Sequence, residues 1–229
     1  MLELWPLSGG YRGEDKVKEI SARFREGEVT AVVGPNGCGK SSLLRVISKA
    51  VKPKQGSVQF EERNLCDYKI KHIAKKIALL PQVHSSPPDI DVRTLVSYGR
   101  YPYMKFGRGL TREDHKVIDE VIAVTGLAEL QHRIVGTLSG GERQRAWIAM
   151  AICQRPEILI LDEPITYLDV SYQVELLELI RRLNQSLGIT IIMVLHDINL
   201  AARYSDCLYV IKDKAVYAKG PPEKIVNRD

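Results

Sequence analysis

Short apolar segments that lead directly into polar or glycine-rich turns predict a sheet of buried parallel strands. The pattern occurs three times, at residues 29–33, 158–161 and 191–195. Strands that are apolar at every position are typical of sheets with helices on both faces. Parallel strands need crossover helices, and the sequence predicts these at residues 40–49, 170–187 and 197–204. The chain is therefore predicted to have an α/β fold.

Two other regions have different patterns. Residues 84–153 open with the breaker cluster Ser85-Ser86-Pro87-Pro88, and a capping box from Thr111 to Asp114 then predicts a helix that closes at Gly126. We interpret this region as a helical insertion between two strands of the core. Residues 2–5, 17–24 and 57–60 predict a smaller antiparallel sheet. We expect a single domain over residues 1–229, with residues 1–83 and 154–229 forming the core and the antiparallel sheet.

Composition excludes several classes of protein. The 33 Lys and Arg against 28 Asp and Glu give a formal net charge of +5, which excludes an acidic tail or a disordered polyampholyte. The longest apolar run, residues 146–153, is eight residues long, whereas a helix that spans a membrane needs about 20. We therefore expect neither a membrane span nor a signal peptide. The four cysteines form no close pair, which excludes a zinc ribbon and a dithiol redox motif and favours a reducing compartment.

The first predicted strand is followed by a phosphate-binding loop. Its sequence, Gly34-Pro35-Asn36-Gly37-Cys38-Gly39-Lys40-Ser41, fits the P-loop pattern, and Ser42 follows it. Glycines let consecutive N–H groups converge on phosphate oxygens, and the helix that follows adds the positive end of its dipole. We expect Lys40 to contact the β- and γ-phosphates and the Ser41 hydroxyl to ligate Mg²⁺. The loop predicts a site for ATP and Mg²⁺.

A second cluster of polar residues is predicted at the same edge of the sheet. Asp162 and Glu163 follow the second strand, His196 follows the third, and Gln82 follows the apolar segment 77–80. Ligands of open α/β sheets bind where strands end. We expect Asp162 to hold Mg²⁺ through its water shell and Glu163 to polarise a water for attack on the γ-phosphate.

The segment Leu138-Ser139-Gly140-Gly141-Glu142-Arg143-Gln144 resembles the signature of the ATP-binding cassette (ABC) family. All the motifs stand in the family's order, and nearly all of the chain resembles one ABC ATPase domain. The resemblance implies a P-loop NTPase core with a parallel sheet, an N-terminal antiparallel β subdomain and an inserted α-helical subdomain. It also implies roles for single residues. Tyr11 would stack on adenine, His196 would contact the γ-phosphate, and Gln82 would ligate Mg²⁺ and link the nucleotide site to transport subunits. Leu168 and Asp169 resemble the loop that crosses to a partner subunit.

The signature has a physical interpretation as well. Ser139, Gly140 and Gly141 precede a long helical segment and expose N–H groups without bulky side chains, as an anion site requires. Two anion sites on separate regions of one chain predict a homodimer in which each ATP is sandwiched between two copies. The alternative is a helix start whose small residues serve packing.

A single cassette without membrane spans resembles the separately encoded ATPase of an importer. Residues 96–103 and 167–177 resemble the group that energises uptake of iron chelates, haem and cobalamin. The resemblance implies integral membrane permease subunits, docked near Arg100, an extracytoplasmic solute-binding protein as an indirect partner, no nucleic acid, and a peripheral location on the cytoplasmic face of the cell membrane.

The sequence is also compatible with other functions. One alternative is a soluble cassette that acts on nucleic acid or ribosomes, although such proteins carry paired cassettes or long coiled-coil inserts. A P-loop kinase or GTPase would not need the signature.

Ile165 stands where the family has threonine, which leaves the conformation of the crossing loop open. Because the sequence ends at Asp229, we expect no additional regulatory domain.

Overall fold

The computed structural model describes residues 1–9, 17–82, 89–105, 107 and 109–226. The strands in this part of the chain are β1 (Leu2–Gly9), β2 (Val17–Phe24), β3 (Val29–Val33), β4 (Gln55–Phe60), β5 (Arg63–Asn64), β6 (Ile77–Leu80), β7 (Ile158–Asp162), β8 (Thr190–Val194), β9 (Cys207–Lys212) and β10 (Ala215–Gly220). The α-helices are α1 (Lys40–Ile47), α2 (Ile70–Lys76), α3 (Val92–Ser97), α4 (Arg112–Val124), α5 (Gly140–Cys153), α6 (Val170–Leu187), α7 (Ile198–Tyr204) and α8 (Pro222–Ile225). A 3₁₀ helix, Tyr98–Tyr103, continues α3.

The larger sheet has six strands in the order β10-β9-β3-β8-β7-β6, and all its neighbouring pairs are parallel except β9 with β10. Strands β3, β7 and β8 are completely buried, as their apolar sequences predict. The carboxyl ends of β3, β6, β7 and β8 therefore meet at one edge. In this register Asp162 at the end of β7 lies opposite Val194 at the end of β8.

The smaller sheet is antiparallel, in the order β2-β1-β4-β5. Together with the mixed sheet and its helices, it confirms the predicted fold class. Most element ends differ from the prediction by at most two residues, but β1 runs four residues beyond its predicted end at residue 5. Strand β8 begins at Thr190, whose N–H donates to the Glu157 carbonyl, and α1 ends before Lys49, whose φ of 64° is incompatible with a helix.

Two apolar clusters cover the two faces of the large sheet. On one face, Val29 and Ala31 of β3 pack with residues of α3 to α6, whereas Val32 faces α1 and the antiparallel sheet. Helices α3, α4 and α5 all fall within the segment predicted as the insertion, and the division of the chain at residues 83 and 153 stays a prediction. In the described part of the chain, no helix combines the length and the hydrophobicity that a membrane crossing requires.

Candidate functional site

The loop between β3 and α1 depends on glycine. Gly34 has φ of 150°, and a Cβ added there would lie 2.1 Å from the Ile211 carbonyl oxygen, which a larger residue cannot tolerate. Gly37 and Gly39 have φ of 76° and 106°, in the left-handed region that glycine occupies without strain. The glycine positions of the P-loop pattern are therefore required by the backbone path.

Lys40, the first residue of α1, is almost completely buried, with only 5% of its surface exposed. Its Nζ donates to the carbonyl oxygens of Gly34 and Pro35, at 2.8 and 3.0 Å. The ammonium group is therefore held inside the loop. The loop opens into a cavity of about 230 Å³ whose lining is Asn36, Gly37, Gly39, Lys40, Ser41, Ser42 and Glu163. Cys38 is buried behind the loop.

Asp162 and Ser41 meet beside this cavity. The Ser41 hydroxyl donates to Oδ1 of Asp162 at 3.0 Å, and the carboxylate is buried. Burial raises the pKa of Asp162, repulsion from Glu163 adds to the effect, and the Ser41 hydrogen bond opposes it. Within the described residues no group of three or more His, Cys, Asp or Glu side chains could hold a metal ion. A hydroxyl beside one carboxylate nevertheless fits Mg²⁺, which takes one or two carboxylates and completes its shell with waters and phosphate oxygens.

Glu163 is held by donors from three segments of the chain. His196 Nε2 lies 2.6 Å from its Oε1, and Gln82 Nε2 donates to its Oε2 at 2.5 Å. The Thr166 hydroxyl donates to the same Oε2 at 3.2 Å, and the Thr166 N–H closes a turn on the Glu163 carbonyl at 3.3 Å. The structure thus brings Glu163, His196 and Gln82 together, three of the four residues that the sequence placed at one edge of the sheet. The sequence analysis missed Thr166, because its bond to Glu163 joins two side chains across a turn whose path the sequence pattern does not reveal.

The signature turn forms the start of α5. The Ser139 hydroxyl accepts from the Glu142 N–H at 3.3 Å, while the Glu142 carboxylate accepts from the Ser139 N–H at 2.8 Å. The bond from the Ser139 N–H, followed by an interaction with the Ser139 hydroxyl, lowers the pKa of the Glu142 carboxylate. No signature residue lines the P-loop cavity. Within the subunit, Gly140 and Gly141 instead face Leu168 and Tyr172, next to the crossing loop.

The crossing loop is well anchored in spite of Ile165. Ile165 is buried in the core, and its carbonyl accepts from the Leu168 N–H at 3.3 Å. Asp169 then caps α6 by accepting from the Tyr172 N–H at 3.2 Å. The aliphatic residue thus points away from the site and packs with the apolar cluster. Tyr167, in contrast, is 92% exposed.

Two other residues with predicted roles are Tyr11 and Arg100. Tyr11, predicted to stack on adenine, lies outside the described residues. Arg100 is buried, donates to Asp114 at 2.8 Å and to the Cys153 carbonyl at 2.9 Å, and stacks on Tyr103. Arg100 therefore holds the helices together, and Tyr101 beside it is the exposed side chain.

Known proteins resemble this chain in sequence and in fold. The profile of the ABC transporter family matches residues 17–166. The chain is 44% identical over 223 residues to the probable siderophore transport system ATP-binding protein YusV of Bacillus subtilis (strain 168), covering 97% of this chain and 81% of that protein. It is 40% identical to the ferric enterobactin transport ATP-binding protein FepC of Escherichia coli (strain K12), in an alignment that covers 97% of this chain and 82% of that protein. The fold is similar to that of the ATP-binding cassette MJ0796, solved as a dimer in a post-hydrolysis state bound to ADP and Pi. That likeness has a TM-score of 0.82 and 26% identity, and covers 97% of this chain and 99% of that one.

Proposed function

This chain belongs to the ABC transporter family, and from that premise we propose that it is the ATP-hydrolysing subunit of an importer for iron chelates. The family membership makes it a nucleotide-binding ATPase. The iron chelate is proposed because relatives covering nearly the whole chain are named for siderophore and ferric enterobactin transport.

One observation carries the proposal. The P-loop cavity, the Ser41–Asp162 pair and the Glu163 carboxylate are contiguous, and His196 and Gln82 reach Glu163 from neighbouring strands. A phosphate cradle, oxygen ligands for a cation and a base are the parts that hydrolysis of a nucleoside triphosphate needs.

The residues divide the work as follows. The P-loop N–H groups and Lys40 would bind the β- and γ-phosphates, and Lys40 would exchange its bonds to loop carbonyls for bonds to phosphate. Mg²⁺ would be held by Ser41, Asp162 and the side-chain amide oxygen of Gln82. When bound, the ion neutralises phosphate charge. Glu163 would orient and polarise the attacking water, and His196 would contact the γ-phosphate.

The signature turn is proposed to complete the site of a second copy. The N–H groups at the start of α5 form an anion site that lines no part of the cavity in the same subunit. In a homodimer, Ser139, Gly140, Gly141 and Asp169 of one copy would face the γ-phosphate of its partner, as a dimeric ABC cassette structure of similar fold allows. Loss of that phosphate would remove charge-assisted bonds across the interface and open the dimer.

A permease would dock on the surface where α2 and the 3₁₀ helix each present an exposed apolar side chain. Ile70 at the start of α2 and Tyr101 in the 3₁₀ helix are 78% and 62% exposed. Their segments are tied together, because Lys71 donates to the Met104 carbonyl and Lys75 lies over the Tyr103 ring. We place the membrane subunits on this surface, which puts the chain at the cytoplasmic face of the membrane. A solute-binding protein outside would act indirectly. The alternative of a cassette acting on nucleic acid or ribosomes is not favoured, because the relatives reported above are transport subunits.

The test is a steady-state ATPase assay over a range of protein concentrations, with Mg²⁺ and with EDTA. Because each site is completed in trans, we expect specific activity to rise with protein concentration and to vanish with EDTA. Specific activity independent of concentration down to nanomolar protein would contradict sites shared between subunits. Transport is tested separately, by growth of cells lacking this gene on an iron siderophore as the sole iron source.

A further inference from the structure

The first turns of α5 and α6 are packed against one another inside a single subunit. A Cβ added to Gly141 would lie 2.6 Å from Cδ1 of Tyr172, 3.0 Å from Cγ and 3.2 Å from Cε1. Although Tyr172 is 38% exposed, its ring therefore already occupies the space beside Gly141. A larger residue at position 141 would have to displace this ring, independently of any phosphate.

Two further approaches link α5 to the crossing loop and to α6. A Cβ at Gly140 would lie 3.4 Å from Cδ2 of Leu168, which immediately precedes Asp169. One turn farther along α5, Arg145 Nη2 lies 3.5 Å from Glu175 Oε2 on α6. This ion pair is long and partly exposed, so it adds little. The Tyr172 ring places the start of α6 directly against the signature turn.

The contact depends on the ring and not on the backbone of Tyr172. The Tyr172 N–H donates to Asp169 Oδ1 at 3.2 Å, a cap that any residue at this position would keep. The ring atoms next to Gly141 are all carbons, so the hydroxyl is not part of this contact. The ring also lines no part of the P-loop cavity. Shortening the side chain would therefore change the relation of the two helix starts and leave the nucleotide cradle intact.

We propose that Tyr172 is a positioning residue that fixes the signature turn relative to the crossing loop. The inference rests on the proposed function, in which Ser139–Gly141 and Asp169 of one subunit both face the nucleotide of its partner. With the ring in place the two segments approach that nucleotide as one rigid body. The signature turn and the crossing loop together form a lid over the partner's nucleotide. Without the ring these two parts of the lid can shift independently, and a displacement of about 1 Å is enough to lose much of the binding or rate.

The experiment compares Tyr172→Ala with Tyr172→Phe, each combined with Glu163→Gln so that bound ATP is not hydrolysed. Light scattering with saturating Mg²⁺-ATP measures the dimer, and fluorescent ATP at low protein concentration measures binding to the monomer. We expect Tyr172→Phe to match the Glu163→Gln parent. We expect Tyr172→Ala to raise the dimer dissociation constant about tenfold or more while monomer affinity and thermal unfolding stay unchanged.

Three outcomes would overturn the inference. Dimerisation of Tyr172→Ala equal to that of Tyr172→Phe shows that the ring does not position the lid. Equal loss of monomer binding and of dimerisation shows a general defect of folding. A Glu163→Gln parent that stays monomeric refutes the shared site itself, and this failure is recognised without the Tyr172 variants.

A second comparison isolates the packing contact. Gly141→Ala should weaken the dimer when Tyr172 is present, because the new methyl group has no space. In a Tyr172→Ala background that space is open, so the same substitution should have a smaller effect. Strictly additive losses in the double variant would contradict a direct contact between these positions.

Discussion

His196 Nε2 lies 2.6 Å from Oε1 of Glu163 because the strands that precede these residues are neighbours in the large sheet. The parallel register of β7 and β8 puts Asp162 opposite Val194, so the segments that follow the two strands leave the sheet at the same edge. Gln82, which follows β6 on the other side of β7, reaches the second oxygen of the carboxylate. The parallel sheet therefore gathers the reactive carboxylate and two of its partners from distant parts of the sequence.

Glu163→Gln should separate ATP binding from hydrolysis. Glutamine has nearly the same shape but cannot accept a proton, so we expect hydrolysis to fall by about 10²–10⁴-fold while ATP binding is retained. Single-turnover hydrolysis and equilibrium nucleotide binding measure the two effects. Hydrolysis at the wild-type rate would exclude Glu163 as the base.

Thr166→Val tests the hydroxyl that sequence reasoning overlooked. Loss of its hydrogen bond to the Glu163 carboxylate should lower kcat by about ten- to a hundredfold with little change in KM, because a hydrogen bond to a charged group contributes about 1.5–3 kcal/mol. Thr166→Ser keeps the hydroxyl and should restore kcat. A kcat of Thr166→Val equal to that of Thr166→Ser would contradict a role for the hydroxyl.

Lys40→Ala should abolish tight ATP binding. The ammonium group is buried in the loop and would make charge-assisted bonds to phosphate, so we expect affinity to fall by at least about tenfold. Lys116→Ala is the matched control, because this lysine is exposed on α4 and makes only a 3.9 Å pair with Glu113. Isothermal titration with ATP compares the two variants. Equal affinities would rule out a phosphate contact by Lys40.

The buried pair Arg100–Asp114 should make stability depend on pH. Burial acts to raise the pKa of Asp114, but hydrogen bonds from Thr111 and Arg100 outweigh it and lower the pKa from 3.8 to about 2. The carboxylate therefore stabilises the fold fully above about pH 4, and its contribution disappears as the pH falls towards 2. Asp114→Asn should cost about 2 kcal/mol of unfolding free energy at neutral pH. The difference in unfolding free energy between wild type and this variant should become smaller as the pH falls from about 4 to about 2.

Urea unfolding at several pH values measures this difference. Glu113→Gln is the control on the same helix, because the exposed pair of Glu113 with Lys116 should contribute less than about 0.5 kcal/mol at any pH. A constant difference between wild type and Asp114→Asn from pH 7 to pH 2 would mean that the Asp114 charge does not stabilise the fold.

The sequence predicts those features that depend on local pattern. Strands β3 and β7 are recognisable because all but one residue in each is apolar, and the helix start at Thr111 is recognisable because its capping box is local. Contacts between distant side chains are different, since they depend on loop paths that no periodicity encodes. The bond from Thr166 to Glu163 requires a φ of 54° at Glu163, which is unusual for a residue other than glycine.

Burial of charge is equally hard to predict from the sequence alone. An arginine in a tyrosine-rich segment suggests an exposed surface, but Arg100 is buried because Asp114 and the Cys153 carbonyl satisfy its guanidinium. The packing of Tyr172 on Gly141 is also invisible, since a glycine in the signature already has an explanation as part of an anion site.

Gly140→Asp changes the proposed lid and leaves the fold intact. A Cβ at Gly140 meets its nearest neighbour, Leu168, at 3.4 Å, and a carboxylate in the first turn of α5 is favourable for the helix. The same carboxylate would repel a γ-phosphate approaching from a partner subunit. We expect normal thermal stability and normal ATP binding by the monomer, but little hydrolysis.

Mixing Lys40→Ala with Gly140→Asp tests most directly whether each site is built by two subunits. A mixed dimer contains one site in which the intact P-loop of the Gly140→Asp chain faces the intact signature turn of the Lys40→Ala chain. If each site is shared, the ATPase activity of the mixture will rise well above the sum of the two separate activities. An activity equal to that sum at every ratio and concentration, under conditions where the chains are seen to associate, would contradict a shared site.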